Sequence, residues 1–379
     1  MKFTVNSVAL KKAHASVARV ISSKTALPIL ENILFSPVDD SKIRLIASDI
    51  DNTVSVTCDI KDASDVEAFL VPNAFLSSLM SALGATDLSF EYDGSNGELT
   101  ICDDSIKGKW NIITDTNVLE FPTVKAQNDA VSFVIDVASL LESTANASVF
   151  VASGNMRPIM CCVNYAIEGD VLRISSSNGQ FLYMDRLSGL KDNGADGRSV
   201  NIADKLVKCL SAIVECEKAG DVKVTFDKSS VRFERGDVFV VGQLVDGKYP
   251  RVESVIPKNN DKLVCVDRKK LCSLIKQATI CGNPNKQVKI TFGPMFYSIE
   301  AEDIDFSRSS SVTGEVVEAK NVTGDVLIAF NSEMLMTIAS VYRGSENVWF
   351  YLSEATRPAI IKANEESSRL ILLMPMQLK

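Results

Sequence analysis

The same short pattern appears three times in this chain, about 130 residues apart, and that repetition limits the fold more than any other feature. Phe3-Thr-Val-Asn-Ser-Val-Ala-Leu10 aligns with Phe133-Val-Ile-Asp-Val-Ala-Ser-Leu140 and with Val264-Cys-Val-Asp-Arg-Lys-Lys-Leu271. Each copy reads as an alternating strand, then Asn6, Asp136 or Asp267 as a helix N-cap, then an apolar helical stripe. A second unit follows about 70 residues into each copy. Phe69-Leu-Val-Pro-Asn73 leads into Leu76, Leu79, Met80 and Leu83. Val200-Asn-Ile-Ala-Asp204 leads into Leu206, Leu210 and Ile213, and Val326-Leu-Ile-Ala-Phe-Asn331 into Met334, Leu335 and Ile338. Six strand–helix–strands units in three domains result.

After each helix come alternating runs separated by turn residues, such as Lys42-Ile-Arg-Leu-Ile-Ala, Leu88-Ser-Phe-Glu-Tyr before Asp93-Gly94, and Val222-Lys-Val-Thr-Phe before Asp227. Val231 to Gly236 and Val348 to Leu352 continue the pattern. Such sheets are antiparallel, with one wet face and one face covered by helices, so the expected class is α+β with a helix layer over a sheet layer in each repeat. Proline segments mark the ends of the repeats: Phe121-Pro122, Tyr249-Pro250 with Ile256-Pro257, and Met374-Pro375. They predict domains at residues 1–126, 127–257 and 258–379, with polar Lys258 to Lys262 as a linker. Gly189 to Gly197 reads as a flexible hairpin or crossover.

Composition narrows the function. No apolar run approaches the roughly 18 residues of a membrane span. The start, Met1-Lys-Phe-Thr-Val, enters a strand directly, so a cytoplasmic location is expected. Nine cysteines without a Cys-x-x-Cys pair read as small buried thiols in a reducing compartment. A net charge of -8 argues against nucleic acid, but its distribution argues the other way. Lys11, Lys12 and Arg19 share the first helix with no acid, and Arg268, Lys269, Lys270 and Lys276 share the fifth. Acids collect at strand ends, including Asp49, Asp51, Asp103, Glu300, Glu302, Asp303 and Asp305. Basic helices within an acidic shell fit that pattern.

Catalytic chemistry has little to stand on. The single histidine, His14, falls one residue beyond the Leu10–Ala13 stripe and reads as a surface or boundary side chain. There is no phosphate loop, nucleophile elbow, zinc cluster or calcium loop. Asp49-Ile-Asp51 and Asp303-Ile-Asp305 hold equivalent places in repeats one and three, where repeat two has Ser176-Ser-Asn178. A tight-turn role explains that better than a metal site lost from one copy. No catalytic residue, metal or cofactor is therefore expected.

The repeats, Ser177-Asn-Gly179 and the terminal Leu372-Leu-Met-Pro-Met-Gln-Leu378 resemble the bacterial sliding clamp family, the beta subunit of the DNA polymerase III holoenzyme. Lys24-Thr-Ala-Leu-Pro-Ile-Leu30, Leu45-Ile-Ala-Ser-Asp49 and Asp246-Gly-Lys-Tyr-Pro250 add to the resemblance, which runs over essentially the whole chain. It implies a non-catalytic, ring-forming homodimer around duplex DNA, associated with the nucleoid and independent of membranes. Phosphates would then face Lys11, Lys12, Arg19, Lys205, Lys208, Lys269, Lys270 and Lys276 without base reading.

The resemblance further implies a groove for linear motifs of the replicative polymerase alpha subunit, the clamp loader, repair and translesion polymerases, ligase and mismatch-repair proteins. Carried onto this chain, its wall includes Met160, Ser177, Gly179, Phe181, Leu182, Pro250 and Val255. Asn331, Met334, Thr356, Pro358 and the tail Leu373, Met374, Pro375 and Met376 complete it. Gln180-Phe181 stands where many clamps carry His-Arg, Gln377 where Arg is frequent, and Ser254 where a basic residue is common, implying a less positive groove. The implied subunit joint sets Lys107, Lys109, Trp110 and Ile112 against Ile280, Cys281, Glu300, Glu302 and Asp303. Two other readings compete: a monomeric three-domain scaffold, and a nuclease using the aspartate pairs.

Overall fold

The computed structural model describes residues 1–22, 25, 27–65, 67–124, 126–154, 157–213, 220–282 and 284–378. Lys24, Ala26, Glu215, Cys216, Glu217 and Lys379 lie outside them. The first repeat runs β1 (Lys2–Asn6), α1 (Ser7–Val17), β2 (Asn32–Asp39), β3 (Lys42–Ser48), β4 (Asn52–Asp59) and β5 (Lys61–Ser64). It continues with β6 (Phe69–Pro72), α2 (Asn73–Ala82), β7 (Asp87–Asp93), β8 (Glu98–Asp103) and β9 (Gly108–Ile113). The second comprises β10 (Val131–Asp136), α3 (Val137–Ser148), β11 (Cys162–Glu168), β12 (Val171–Ser177) and β13 (Phe181–Ser188). Then come β14 (Ser199–Ala203), α4 (Asp204–Cys209), β15 (Asp221–Phe226), β16 (Ser230–Arg235) and β17 (Val238–Gln243). The third has β18 (Lys262–Asp267), α5 (Arg268–Ala278), β19 (Gln287–Phe292), β20 (Phe296–Asp303) and β21 (Arg308–Lys320). It ends with β22 (Val326–Asn331), α6 (Ser332–Val341), β23 (Asn347–Leu352), β24 (Ala359–Lys362) and β25 (Leu370–Leu373).

The helix starts follow from their caps. The Asn6 side chain accepts from the Val8 and Ala9 amides, Asp136 from Ser139, Asp267 from Lys270, and Asn331 from Glu333 and Met334. Leu10, Ala13 and Val17 of α1 and Leu271, Leu274 and Ala278 of α5 are buried, leaving the basic residues outside.

The chain divides into two compact units. The first comprises Met1–Ala145, Ile167–Asp170 and Gly189–Asp246. It contains the sheets β5-β1-β7-β8-β9 and β10-β15-β16-β17-β4-β3-β2-β6. The second sheet crosses from repeat two to repeat one where β17 pairs with β4, Gly242 opposite Asn52 and Val240 opposite Val54. A Cβ on Gly242 would lie 2.4 Å from Leu206, so only glycine admits that close approach. Phe3, Phe35, Phe69, Phe90 and Tyr92 form a continuous aromatic core under repeat one.

The second unit comprises Asn146–Ala166, Val171–Ser188 and Gly247–Lys379. Its strands run β12-β13-β25-β24-β23-β18-β21-β20-β19-β22. Here repeat two meets repeat three, with Phe181 opposite Leu373 and Tyr183 opposite Ile371. Strand pairs in both units are antiparallel, as the alternation predicts.

Several expectations need correction. His14 is buried, 7% exposed, where α1 meets α2, its Nε2 2.9 Å from Asn73 Oδ1 and 3.2 Å from Ser77 Oγ. One residue past the apolar stripe still points inward when a second helix covers that flank. The repeat-two counterpart of Asp49-Ile-Asp51 is the β12–β13 turn at Asn178-Gly-Gln180, not Ser176-Ser-Asn178, because Ser176 faces inward and donates to Ala147 O. Gly189 to Gly197 is pinned: Lys191 exchanges both backbone bonds with Val134, and the Gly194 amide donates to Ser132 O. The Lys258–Lys262 segment is anchored too, since Asn260 Nδ2 donates to Tyr351 O and Pro358 O at 2.9 Å.

Desolvation lowers the His14 pKa below its ordinary 6.5. As pH falls, the unfolded chain takes up that proton first, so stability is lost below about 6.5. The carboxylates with lowered pKa values start from 4.5 for Glu91 and 3.8 for Asp136, which leaves the window from 4.5 to 6.5 to His14. Thermal melts across that window should show a falling midpoint in the wild type and a flatter profile in His14→Gln.

Candidate functional site: a basic helix face, two sheet edges and a tail groove

Lys11, Lys12 and Arg19 are exposed on the first repeat, as are Lys269, Lys270 and Lys276 on α5. Lys205 and Lys208 differ. Lys205 Nζ lies 2.6 Å from the carboxylate of Asp49, which is only 5% exposed, and Lys208 pairs with Asp204 at 2.7 Å. The hydrogen bond to Asp49 raises the Lys205 pKa, against the opposing effect of burial. Each of these two therefore has a carboxylate against its charge. Asp49 also accepts from the Asn52 amide at 2.7 Å, and Ile50 takes φ 83 beside it, so the aspartate works in a strained tight turn. Asp303 is likewise buried at its turn, accepting from the Phe306 amide.

The cysteines are mixed rather than uniformly buried: Cys58, Cys162, Cys209 and Cys265 are buried, while Cys102, Cys161, Cys272 and Cys281 are half-buried. Burial pushes Cys209 and Cys265 up to about 11, so both stay as thiols at neutral pH.

β9 ends its sheet in the first unit, so one of its edges has no strand partner among the described residues. Trp110 and Ile112 share one face, opposite Ile101 and Leu99 of β8, and are half-buried; Lys109, Asn111 and Ile113 are exposed. In the second unit, β21 pairs with β20 through Arg308–Glu315 but with β18 only from Val316 onward. Its first half therefore leaves an edge open. Ile280, in the 3-10 turn Thr279–Cys281 that packs on β21, is 79% exposed, and Ile304 and Phe306, just before β21, are 77% and 68% exposed. The last two were missed in the sequence because the acids around them drew attention to charge. Of those acids, Glu302 is paired with Lys289 at 2.5 Å and Asp303 is turned inward, leaving Glu300 and Asp305 exposed.

The residues expected to wall the groove all belong to the second unit. β25 ends at Leu373, and the Met374 amide donates to Gln180 O in the β12–β13 turn. The chain then crosses to β22, where the Met376 amide donates to Ala329 O at 2.7 Å and Gln377 O accepts from Gln287 Nε2 at 2.8 Å. Pro375 takes the position where a strand amide would be needed. Asn331 caps α6 two residues beyond Ala329, placing Met334 on the first turn, and Pro358 precedes Ala359, which faces Leu373. Gly179 adopts φ 91, a conformation that favours glycine in this turn.

Beneath these residues, Leu182, Met184, Tyr249, Val252, Ile360, Leu370 and Leu372 form one apolar cluster, with Ile159 and Ile256 half-buried against it. Phe181 corrects an expectation: it is 7% exposed and packs edge-on against Phe150 at 5.1 Å, on the strand face opposite that of Leu182, so it is buried rather than open wall. Val255, Met374, Pro250 and Thr356 are exposed, and Met160, Ser177 and Met376 half-buried. The rim carries Glu253, paired with Arg173 at 2.7 Å.

Three family models match the chain: the DNA polymerase III beta subunit N-terminal domain over residues 1–124, its central domain over 134–251 and its C-terminal domain over 253–377. A beta sliding clamp of Pseudomonas aeruginosa is 24% identical and one of Bacillus subtilis 26% identical, with 100% of each chain covered in both cases. Among solved structures, the Pseudomonas aeruginosa clamp bound to griselimycin superposes with TM-score 0.92 at 24% identity. The beta subunit from Thermotoga maritima superposes with TM-score 0.89 at 22% identity, again over 100% of both chains.

Proposed function

The chain belongs to the DNA polymerase III beta subunit family, and from that premise we propose how it performs a sliding clamp's work. Two copies close head to tail around duplex DNA, and the ring tethers the polymerase without catalysing anything. Domains at 1–126, 127–257 and 258–379 give six per ring. The basic faces of α1 and α5 line the hole, and the tail groove receives linear motifs from the polymerase, loader and repair partners. A tether keeps the polymerase's local concentration high after each release, which yields processivity.

The observation that carries this reading is an unfinished pattern. Repeat two docks on repeat one through β17 and β4, and repeat three on repeat two through β25 and β13. β9 is the repeat-one counterpart of β17 and β25, and β21 the repeat-three counterpart of β4 and β13; the outer edge of β9 and that of the first half of β21 lack partners among the described residues. Pairing β9 with a second copy's β21 completes the series at both ends and removes two exposed strand edges.

The internal junctions also serve as templates for the register of that pairing. The Thr114 amide donates to Gly97 O as Leu244 donates to Ser229 O, which aligns Trp110 with Val240. Ser310 Oγ donates to Ala278 O as Ser176, the partner of Tyr183, donates to Ala147 O, which aligns Ser310 with Tyr183. Val240 faces Val54, and Ile371 faces Tyr183, all four fully buried. The third junction thus sets Trp110 against the partner's Ser310, Asn111 against the partner's Ser309, and Lys109 against the partner's Ser311. Glu300 lies one strand further in, opposite Ser311, where an ion pair with Lys109 fits.

Encirclement is tested on nicked circular duplex. Protein loaded on the circle should be lost promptly when the DNA is linearised, and unchanged retention would refute the ring. Glu substitutions at Lys11, Lys12, Lys269, Lys270 and Lys276 should weaken binding evenly across DNA sequences and shrink its salt dependence. A loss confined to one sequence contradicts sliding.

A further inference from the structure

Under the tail groove lies a hydroxyl that the free protein leaves idle. Tyr249 is 8% exposed within the apolar cluster, and its Oη is sealed from solvent with no acceptor for its proton among the described residues. The backbone of Ser177 acts on it as a donor, favouring the ionised form, while burial pushes the pKa far above the ordinary 10.0. The phenol therefore keeps its proton, and that proton meets no acceptor. Ser177 closes β12 immediately before the turn that holds Met374, and the exposed Pro250 follows Tyr249. The hydroxyl thus sits at the groove wall, not deep in a repeat.

Elsewhere the chain satisfies such groups. Tyr342 Oη donates to Ile361 O at 2.9 Å, and Tyr183 Oη to Asp185 at 3.3 Å. Tyr297 is also unpartnered, but its ring is packed beneath Gly314 inside repeat three. An idle buried phenol destabilises the free protein relative to phenylalanine of nearly the same shape.

We propose that Tyr249 is a specificity residue of the groove, its hydroxyl donating a hydrogen bond to a carbonyl oxygen of the docked peptide. Ile159 and Ile256, half-buried over the cluster, are the side chains that yield to admit that oxygen. A peptide presenting a carbonyl there is preferred over one presenting only hydrocarbon, because the latter leaves the phenol orphaned. The inference rests on the groove reading above.

The test uses Tyr249→Phe in the full-length protein. Its probes are griselimycin and fluorescent peptides tiled along the replicative polymerase of the same organism. Affinity for the best peptide should fall about tenfold, the scale of one buried hydrogen bond, while the thermal midpoint stays level or rises. Equal affinities overturn the proposal. So does a lowered midpoint, which would mean the hydroxyl is already bonded in the free protein. If the wild type binds none of the probes, the groove reading itself fails, and this inference with it.

Discussion

Asn111→Pro should turn the dimer into monomers and abolish retention on closed circular DNA, raising the dimer dissociation constant at least about a hundredfold. The Thr114 amide points to β8, so along the alternation the Asn111 amide points to the open edge. Proline there leaves the β8–β9 ladder intact while removing a donor to the partner and crowding its strand. A stable monomer by native mass, with unchanged circular dichroism, is the expected result; a persistent dimer sinks the joint. The register has its own check. Asn111→Cys combined with Ser309→Cys should form covalent rings under mild oxidation, each single variant should not, and cross-linking only with Thr313→Cys would shift the register.

Met376→Asp, or removal of Met374 through Lys379, should lower affinity for polymerase peptides at least tenfold and leave both the dimer and its hold on DNA unchanged. Met376 is half-buried with its backbone tied to Ala329, so its side chain is positioned as an anchor. Losing such an anchor typically costs about 2 kcal/mol or more, and a carboxylate in its place adds desolvation. Fluorescence titration beside native mass decides the matter. Undiminished binding would refute the groove, whereas a monomeric product would show that the tail is a structural strand.

Much of this architecture was legible because it recurs. The caps Asn6, Asp136, Asp267 and Asn331 and the alternating strands state their own conformation locally. What escaped was decided by contacts far along the chain. His14 looks peripheral until α2 covers it, and Phe181 looks like groove wall until Phe150 packs across it. Lys205 reads as an available cation because nothing near it in sequence announces Asp49, some 150 residues away. The break in strand pairing was visible in Met-Pro-Met, yet the crossing to Gln287 was not. Residue pattern reveals faces and caps; it does not reveal which neighbour arrives to occupy a face.

The strand pairs that weld the repeats together also set an order of events during synthesis. β4 ends at Asp59, and the strand that shields its edge, β17, begins at Val238. At the usual ~5–20 residues per second, the ribosome needs roughly 10–40 s to supply it. β13, which ends at Ser188, waits about as long for β25, which begins at Leu370. A nascent chain of this protein therefore carries one bare sheet edge or another from the time Asp59 emerges until β25 does. Truncated products and stalled messages are the species in which aggregation should begin.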